Sequence, residues 1–585
     1  MTKAFDTIVI GSGIGGLTTA LCHAQAGDKV LVLEQHTVPG GWCHSFTLDG
    51  YRFNTGVHYI GELEDGARVR SYLEGLGLGA DLKFCQLNKQ GYEHILFKEQ
   101  RYDLPNGKDE LYAYLVKHFP QEKKGIEQFL NKTEKIAKEI GSILDMEKLS
   151  DLLKMPVIAP SMIRWGFSSY DSLVRHYIKD KQLIGLLSAQ AGDYAVPPKK
   201  AAAPMHVGIF QHYMNGAYYP VGGGLKIPKA YLRALKKYNA EIRLATKVDA
   251  ILTEGKGKSR QVTGVRITGG EEIKCNKIIS NTDPHQTFTH LLDKKSLSKR
   301  LQKRLHKTKY SLSCLGLFMA VDLDLKAKGF DSGNYWLFDS NDMNETFRQC
   351  SEEELLDKDD FPFFYLTITT LKDPSKKNKN LHAIEAFTYV PFKPFEKWSG
   401  SGPEDRSADY MDFKQQLTDK FISNIEKLIP DIRGSIRFSE LSTPLTNIFY
   451  LNSTKGSIFS TEKNMFQTGV FMFKPKTEIK NLYLCGASTL HGIFGALVSA
   501  LFTSKISLKK PMKQLLDFKD KEIKIFNSEE MASWPEEFHT LIKGNWGENF
   551  SGISTPASEL KQLFSGNDAI ENNKIIIPSY EAEVE

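Results

Sequence analysis

The sequence predicts an α/β chain: a discontinuous Rossmann-like dinucleotide-binding domain, interleaved with a substrate domain that contains a β-sheet and a helical insertion. Three observations predict it. An N-terminal strand, glycine turn and helix run into a second strand; a long helical pattern from 109 to 213 then interrupts the strands; and near 486 the chain returns to a short strand and a glycine-opened helix. With 585 residues, 41% of them hydrophobic and 25% charged, the chain can bury a large core, which excludes collagen-like, mucin-like and small disulfide scaffolds.

Phe5 to Ile10 is a short apolar run, and the helix after it places Leu17, Ala20, Leu21 and Ala24 on one face. Between them lies GSGIGG, in which Gly11, Gly13 and Gly16, with Ser12 in the turn, fit the dinucleotide-binding pattern. The first glycine allows the tight turn, the second admits a pyrophosphate to the backbone, and the third lets helix pack on strand. Helix amides then face the phosphates. Gly27 and Asp28 break the helix, and Lys29 to Glu34 reads as a buried strand ending in an acid, placed to accept a ribose hydroxyl.

After Pro39, Gly40 and Gly41 predict a second loop of close backbone approach, and Gly50, Phe53 and Gly56 punctuate a hairpin-like segment. A simple nicotinamide dehydrogenase would run directly into its next βαβ unit. The stretch LVLEQHTVPGGWCHSF followed by GYRFNTGVHYIG instead resembles the flavin-binding region of amine-oxidase-type FAD proteins. Within them it is most similar to the retinol saturases, carotenoid isomerases and bacterial-type phytoene desaturases. HYMNGAYYPVGGG (212–224), STPLTNIFYL (442–451) and NLYLCGASTLHGIFGAL (481–497) follow in the order that family uses.

The resemblance implies noncovalent FAD, with the double glycine against the cofactor, Val248 presenting backbone to the adenine, and Gly486, Gly492 and Ile493 on the final cofactor-contacting segment. Relatives often carry an acid or amide after the glycine at 486; Ala487 stands there here, so that hydrogen bond is expected to be absent or supplied by Ser488. The hairpin approaches the flavin in the family, which makes His58 and Tyr59 the candidate proton donors. His44 and Cys43 are expected beside the cofactor, and Tyr213, Tyr218 and Tyr219 along a substrate tunnel.

On this reading residues 1–108, 214–305 and 441–510 form the FAD-binding domain, 109–213 a helical insertion, 306–440 a β-rich substrate domain with aromatic alternation, and 511–585 an extension of unassigned role. That extension carries 7 Lys and Arg against 14 Asp and Glu, while the whole chain is at +6, so the body is basic. A diffuse excess of this size reads as solvation and predicts no nucleic-acid partner.

Seven cysteines without a C-x-x-C pair predict neither a zinc site nor a disulfide framework, and no other metal motif is present. A strand starting by residue 5 leaves no room for a signal peptide, so a reducing, cytoplasmic setting is expected. Tyr483 to Ser504 lacks Lys, Arg, Asp and Glu, yet its glycines suit a cofactor-facing helix better than a membrane span. Residues 152–170 mix apolar side chains with Lys154, Arg164 and Trp165, a composition suited to peripheral membrane contact with Trp165 as anchor.

The resemblance implies an oxidoreductase acting on a carbon–carbon double bond of a hydrophobic polyene or isoprenoid, in the manner of a saturase. A carotenoid isomerase or desaturase would use the same motifs. A non-catalytic isoprenoid-binding escort is disfavoured by the intact glycine motif with Glu34. No second complete G-x-G-x-x-G in its own βαβ unit is apparent, so electrons are expected from another protein, from transient NAD(P)H binding, or from substrate.

Overall fold

Strand β1 (Phe5–Ile10) lies at the centre of the larger sheet because neither of its faces needs water: Ile8 and Val9 have no exposed surface. β2 (Val30–Leu33) is buried at all four positions and pairs parallel to it, as continuous apolar strands of parallel sheets do. The computed structural model describes residues 4–535, apart from 99, 145, 147–153, 295–296, 374–380, 491, 531 and 533, together with the backbone of 575–576.

On the other flank of β1 runs Glu272–Ser280, also parallel, and beside its end Leu482–Leu484, the strand of the last chain return. Val248–Glu254 and Gln261–Ile267 extend that flank as an antiparallel meander, while Glu241–Arg243 pairs with β2. Helix α1 (Ile14–Gln25) is buried on nearly every side. It is wedged between the sheet and two other helices, Lys226–Lys237 and Gly492–Leu508. The charge-free run therefore folds as strand, turn and core helix, and no helix among the described residues is long and apolar enough to cross a membrane.

The second sheet has seven strands, in the order Ile436–Ser442, Ser313–Asp322, Leu381–Val390, Phe363–Ile368, Asn334–Phe338, Glu93–Phe97 and Gln100–Leu104. Side chains alternate between its faces. Phe364 and Leu366 pack with Phe421 and Ile422 of helix Ala408–Glu426, while Phe363, Tyr365, Trp336 and Phe338 turn toward the helical region. The described residues between 109 and 213 fold mainly as helices, among them Lys123–Leu144, Tyr170–Tyr177, Lys181–Ser188 and Ala203–His212. One expected boundary moves: residues 93–104, placed by sequence in the first cofactor segment, pair instead into this second sheet, because Glu93–Phe97 finds Asn334–Phe338 as a parallel neighbour. The extension after 511 begins docked, with Lys524–Asn527 parallel to Lys83–Gln86 and Trp534 buried against Cys85 and Val221.

Candidate active site

A single cavity of about 1060 Å³ runs from the glycine turns of the first sheet to the aromatic face of the second. Pockets for one small ligand are roughly 300–1,000 Å³, so this one has room for more than a cofactor fragment. Gly11, Gly13, Glu34, Gly40, Gly41, Val248, Gly492 and Ile493 all line it, as do His58 and Tyr59.

Three predicted contacts stand behind the wall instead. The Ser12 amide and hydroxyl both donate to Glu34 Oε2, at 2.8 and 2.7 Å, so Ser12 positions the acid. A Cβ on Gly16 would sit 2.0 Å from the Gly11 carbonyl oxygen, which makes Gly16 a helix-to-turn packing residue. Gly486, at φ +83°, faces Asn281, and a Cβ on Gly15 would stand 2.7 Å from the Gly486 Cα. Gly15 belongs to the same motif and was not singled out by its spacing.

The cofactor end fits a dinucleotide for a structural reason. Helix α1 starts at Gly13 with no side chain capping it, and its first residues line the cavity, the arrangement in which orphan amides receive phosphate. Gly41 is at φ +55°, and a Cβ there would stand 3.4 Å from Gly13 Cα. Two glycine turns thus face each other with backbone alone between them. Glu34 Oε1 accepts from the His36 amide at 2.9 Å, which fixes the carboxylate at the end of β2.

Opposite these turns, Ala487 leaves its side-chain position without a polar group, and the Ser488 hydroxyl is directed to the Thr282 carbonyl at 3.3 Å rather than replacing it. Buried Lys463 donates to the Ala487 carbonyl at 2.7 Å and to Thr461 Oγ1 at 3.0 Å; burial pushes its ammonium down to about 7. His44 lies on the same wall, its Nδ1 2.6 Å from the Gly41 carbonyl, and burial lowers it to about 4.

At the inner end the His58 ring lies 5.1 Å from Tyr365 and 6.0 Å from Phe387, centroid to centroid, with Nε2 3.3 Å from Glu385 Oε2. Glu385 Oε1 is held by the Asn54 amide and side chain at 2.8 and 3.0 Å. Tyr59 stacks on Tyr213 at 4.3 Å. Tyr213 lines the cavity as expected, whereas Tyr218 and Tyr219 are used in a strand paired with Lys83–Gln86 and do not. Asp193, Glu93, Lys372 and Lys463 were missed by sequence reading. Only Glu93, an acid inside the apolar strand EHILF, carries a local signal; the others sit in segments with no motif.

The mouth is apolar. Ile163, Phe167, Val470, Phe471 and Ile506 both line the cavity and are 40–66% exposed. Trp165, expected as a lipid anchor, is only 6% exposed and packs edge-on against His176 at 5.4 Å. Its short helix, Pro160–Trp165, turns the indole inward and leaves Ile163 outside. Leu152 and Leu153, at the start of the expected contact segment, lie outside the described residues.

A Rossmann-like turn, an acid closing its second strand and a glycine-opened helix around one deep cavity define a dinucleotide-dependent oxidoreductase. The chain belongs to the family of flavin containing amine oxidoreductases, whose model matches residues 14–505. It is 29% identical over 534 residues to the all-trans-retinol 13,14-reductase of Danio rerio, spanning 86% of each chain. To a chloroplastic prolycopene isomerase of Daucus carota it is 26% identical over 509 residues, 84% of this chain and 77% of that one. Cyclohexylamine oxidase from Brevibacterium oxydans IH-35A shares the fold at a TM-score of 0.54 and 14% identity, over 87% of this chain and 99% of that one.

Proposed function

We propose that this protein holds FAD noncovalently across the two glycine turns and saturates a carbon–carbon double bond of an isoprenoid polyene, as the names of the retinol reductases it resembles describe. A bound flavin supplies hydride transfer at its ring N5. The residues of the chain do the rest. Glu34 and the turns around Gly13 and Gly41 fix the dinucleotide, and Trp336, Tyr365 and Phe387 wall the inner end with rings that exclude water. His58 and Tyr59 bring the O–H and N–H groups of that wall. Electrons come from outside the chain, from NAD(P)H or a redox partner.

The observation that carries this reading is the continuity of the cavity from a backbone-walled cofactor end, through an aromatic chamber, to an apolar mouth. An extended hydrocarbon fits that path; a small amine does not need it. The same mouth supports peripheral contact with a bilayer in which such a substrate dissolves, made by Ile163, Phe167, Val470 and Phe471 with Arg164 and Lys474 beside them.

The test is anaerobic incubation of the chemically reduced holoprotein with all-trans-retinol and with a carotenoid panel. The expected product is heavier by two hydrogens. Product of unchanged mass would make the enzyme an isomerase, and product lighter by two hydrogens with oxidised flavin a desaturase. For the membrane contact, Phe167→Ser with Phe471→Ser should lower vesicle pelleting; pelleting equal to wild type would remove the mouth from the contact.

A further inference from the structure

The inner end of the cavity and the side chains packed behind it hold buried ionisable groups that hydride transfer alone does not use. Asp193 ends the turn Ala189–Asp193 and lines the cavity. Each of its carboxylate oxygens lies 2.9 Å from the Tyr59 hydroxyl. Inside the second sheet, on a strand between Asn334–Phe338 and Gln100–Leu104, fully buried Glu93 accepts from the Trp336 indole at 2.6 Å, and its Oε1 has no hydrogen-bond partner among the described residues. Lys372, also fully buried, donates to the His58 carbonyl at 2.7 Å and to Asn334 Oδ1, with Nζ 5.7 Å from the Tyr59 ring centre.

A phenol has one proton, and a carboxylate has only acceptors. When Asp193 is ionised, Tyr59 must spend its hydrogen on the carboxylate. When Asp193 carries a proton, it can donate to the phenol oxygen, and the Tyr59 O–H is free to turn into the cavity. Which state holds is decided by the surroundings. Burial pushes the Asp193 carboxyl up to about 7, against the pull of Tyr59. Burial, with the Asp193 charge, holds Glu93 well above the usual range, against Tyr59 and Trp336. Burial brings Lys372 down to about 7, against Glu93 and Glu385. The other titratable groups that feel Asp193 are phenols kept neutral by burial: Tyr92 and Tyr194, Tyr213, and Tyr365 and Tyr389 of the sheet.

We propose that Asp193 is a proton store acting through Tyr59, and that Tyr59 is the catalytic acid that protonates one carbon of the substrate double bond. This rests on the saturase reading above. The step balances as follows. A bound reduced flavin would supply the two electrons as a hydride, which would form a C–H bond at one alkene carbon. The π pair then forms the second C–H bond at the neighbouring carbon, with the proton released by the breaking Tyr59 O–H bond. The Asp193 proton passes to the phenol oxygen, leaving a carboxylate that solvent reprotonates. Asp193 touches the substrate through Tyr59 only and is a positioning residue. His58 is the weaker candidate because its Nε2 faces Glu385 and not the proton store.

The test reads the proton directly. Infrared difference spectra of the protein across neutral pH should show a protonated-carboxyl band that titrates near pH 7 and disappears in Asp193→Asn, a change of one atom per side chain. Tyr59→Phe should keep the band and shift its frequency, since one hydrogen bond is lost. Glu93→Gln should leave it in place. With all-trans-retinol and chemically reduced holoprotein, Tyr59→Phe and Asp193→Asn should each slow formation of the dihydro product by roughly 100-fold or more at full flavin content, and Asp193→Asn should flatten the rate's fall above neutral pH. A titrating band that survives Asp193→Asn, or a wild-type pH profile in that variant, overturns the proposal. If wild type makes no dihydro product from any polyene while the band behaves as stated, the saturase reading fails and the Asp193–Tyr59 proton store stands.

Discussion

The cofactor end of the cavity is walled by backbone, most of it from one contiguous stretch between Ile10 and Gly41, with Asn281 and Ala487 opposite. The inner end is walled by side chains, and His58, Asp193, Trp336 and Glu385 come from four separated segments. At the first end a Cβ on Gly13 or Gly40 would come within 2.8 Å of a neighbouring side chain. At the second, chemistry depends on where a few protons sit among rings. The first end offers a dinucleotide mainly backbone, and the second offers a substrate side chains that hold protons.

The sharpest way to break the contrast is Gly13→Val. A Cβ there would lie 2.8 Å from Asn281 Nδ2, before any further carbon is added, and it would stand where a pyrophosphate must approach. Purified protein should lose its flavin absorbance entirely while keeping a native circular dichroism spectrum. Full flavin content in that variant would remove the backbone-walled site.

A smaller effect comes from Lys463, a buried cation at the cofactor end. The folded protein holds Lys463 at about 7 against an ordinary 10.5. Between those values the unfolded chain binds a proton that the native state does not, so stability rises with pH across the window and is lost as pH falls toward 7. The slope is at most about 1.4 kcal/mol per pH unit. Lys463→Met should remove that share of the slope, read as melting temperature from pH 7 to 10 against wild type. Parallel curves would show that Lys463 titrates in the native state as it does in water.

His58→Phe should have the smallest effect. The new ring keeps the packing beside Tyr365 and Phe387, and the proton route through Tyr59 is untouched. Product formation should fall by less than about tenfold, against the roughly 100-fold expected for loss of the acid itself. A loss equal to that of Tyr59→Phe would make His58 a second member of the relay.

The contrast also marks how far the sequence could be read. Gly11, Gly13, Glu34, Gly40 and Gly41 are legible because their requirements are local: a turn, a close approach and a strand end all lie within about 30 residues, and each leaves a residue-type signature. Trp165 misled because an indole among cations and apolar residues has the same composition whether it points out or in, and only its neighbours settled that it is 6% exposed. Residues 93–104 were placed in the first cofactor segment by position alone and gave no sign of the sheet they would join, since pairing with Asn334–Phe338 spans more than 200 residues of chain.

By itself, then, the sequence determined the nucleotide-binding βαβ unit and the helical interruption after it, because periodicity and glycine spacing are properties of short windows, while the flavin-type elaboration was legible only through the motif blocks shared with a known family. Only the tertiary structure decided which side chains share the inner chamber. Asp193 is an ordinary acid in a helical segment until the fold brings Tyr59 within 2.9 Å of both its oxygens, across 134 positions of sequence, and removes water from around them. Proton affinity in a protein interior is set by burial and by neighbours in space, and neither is written in the spacing of residues along the chain.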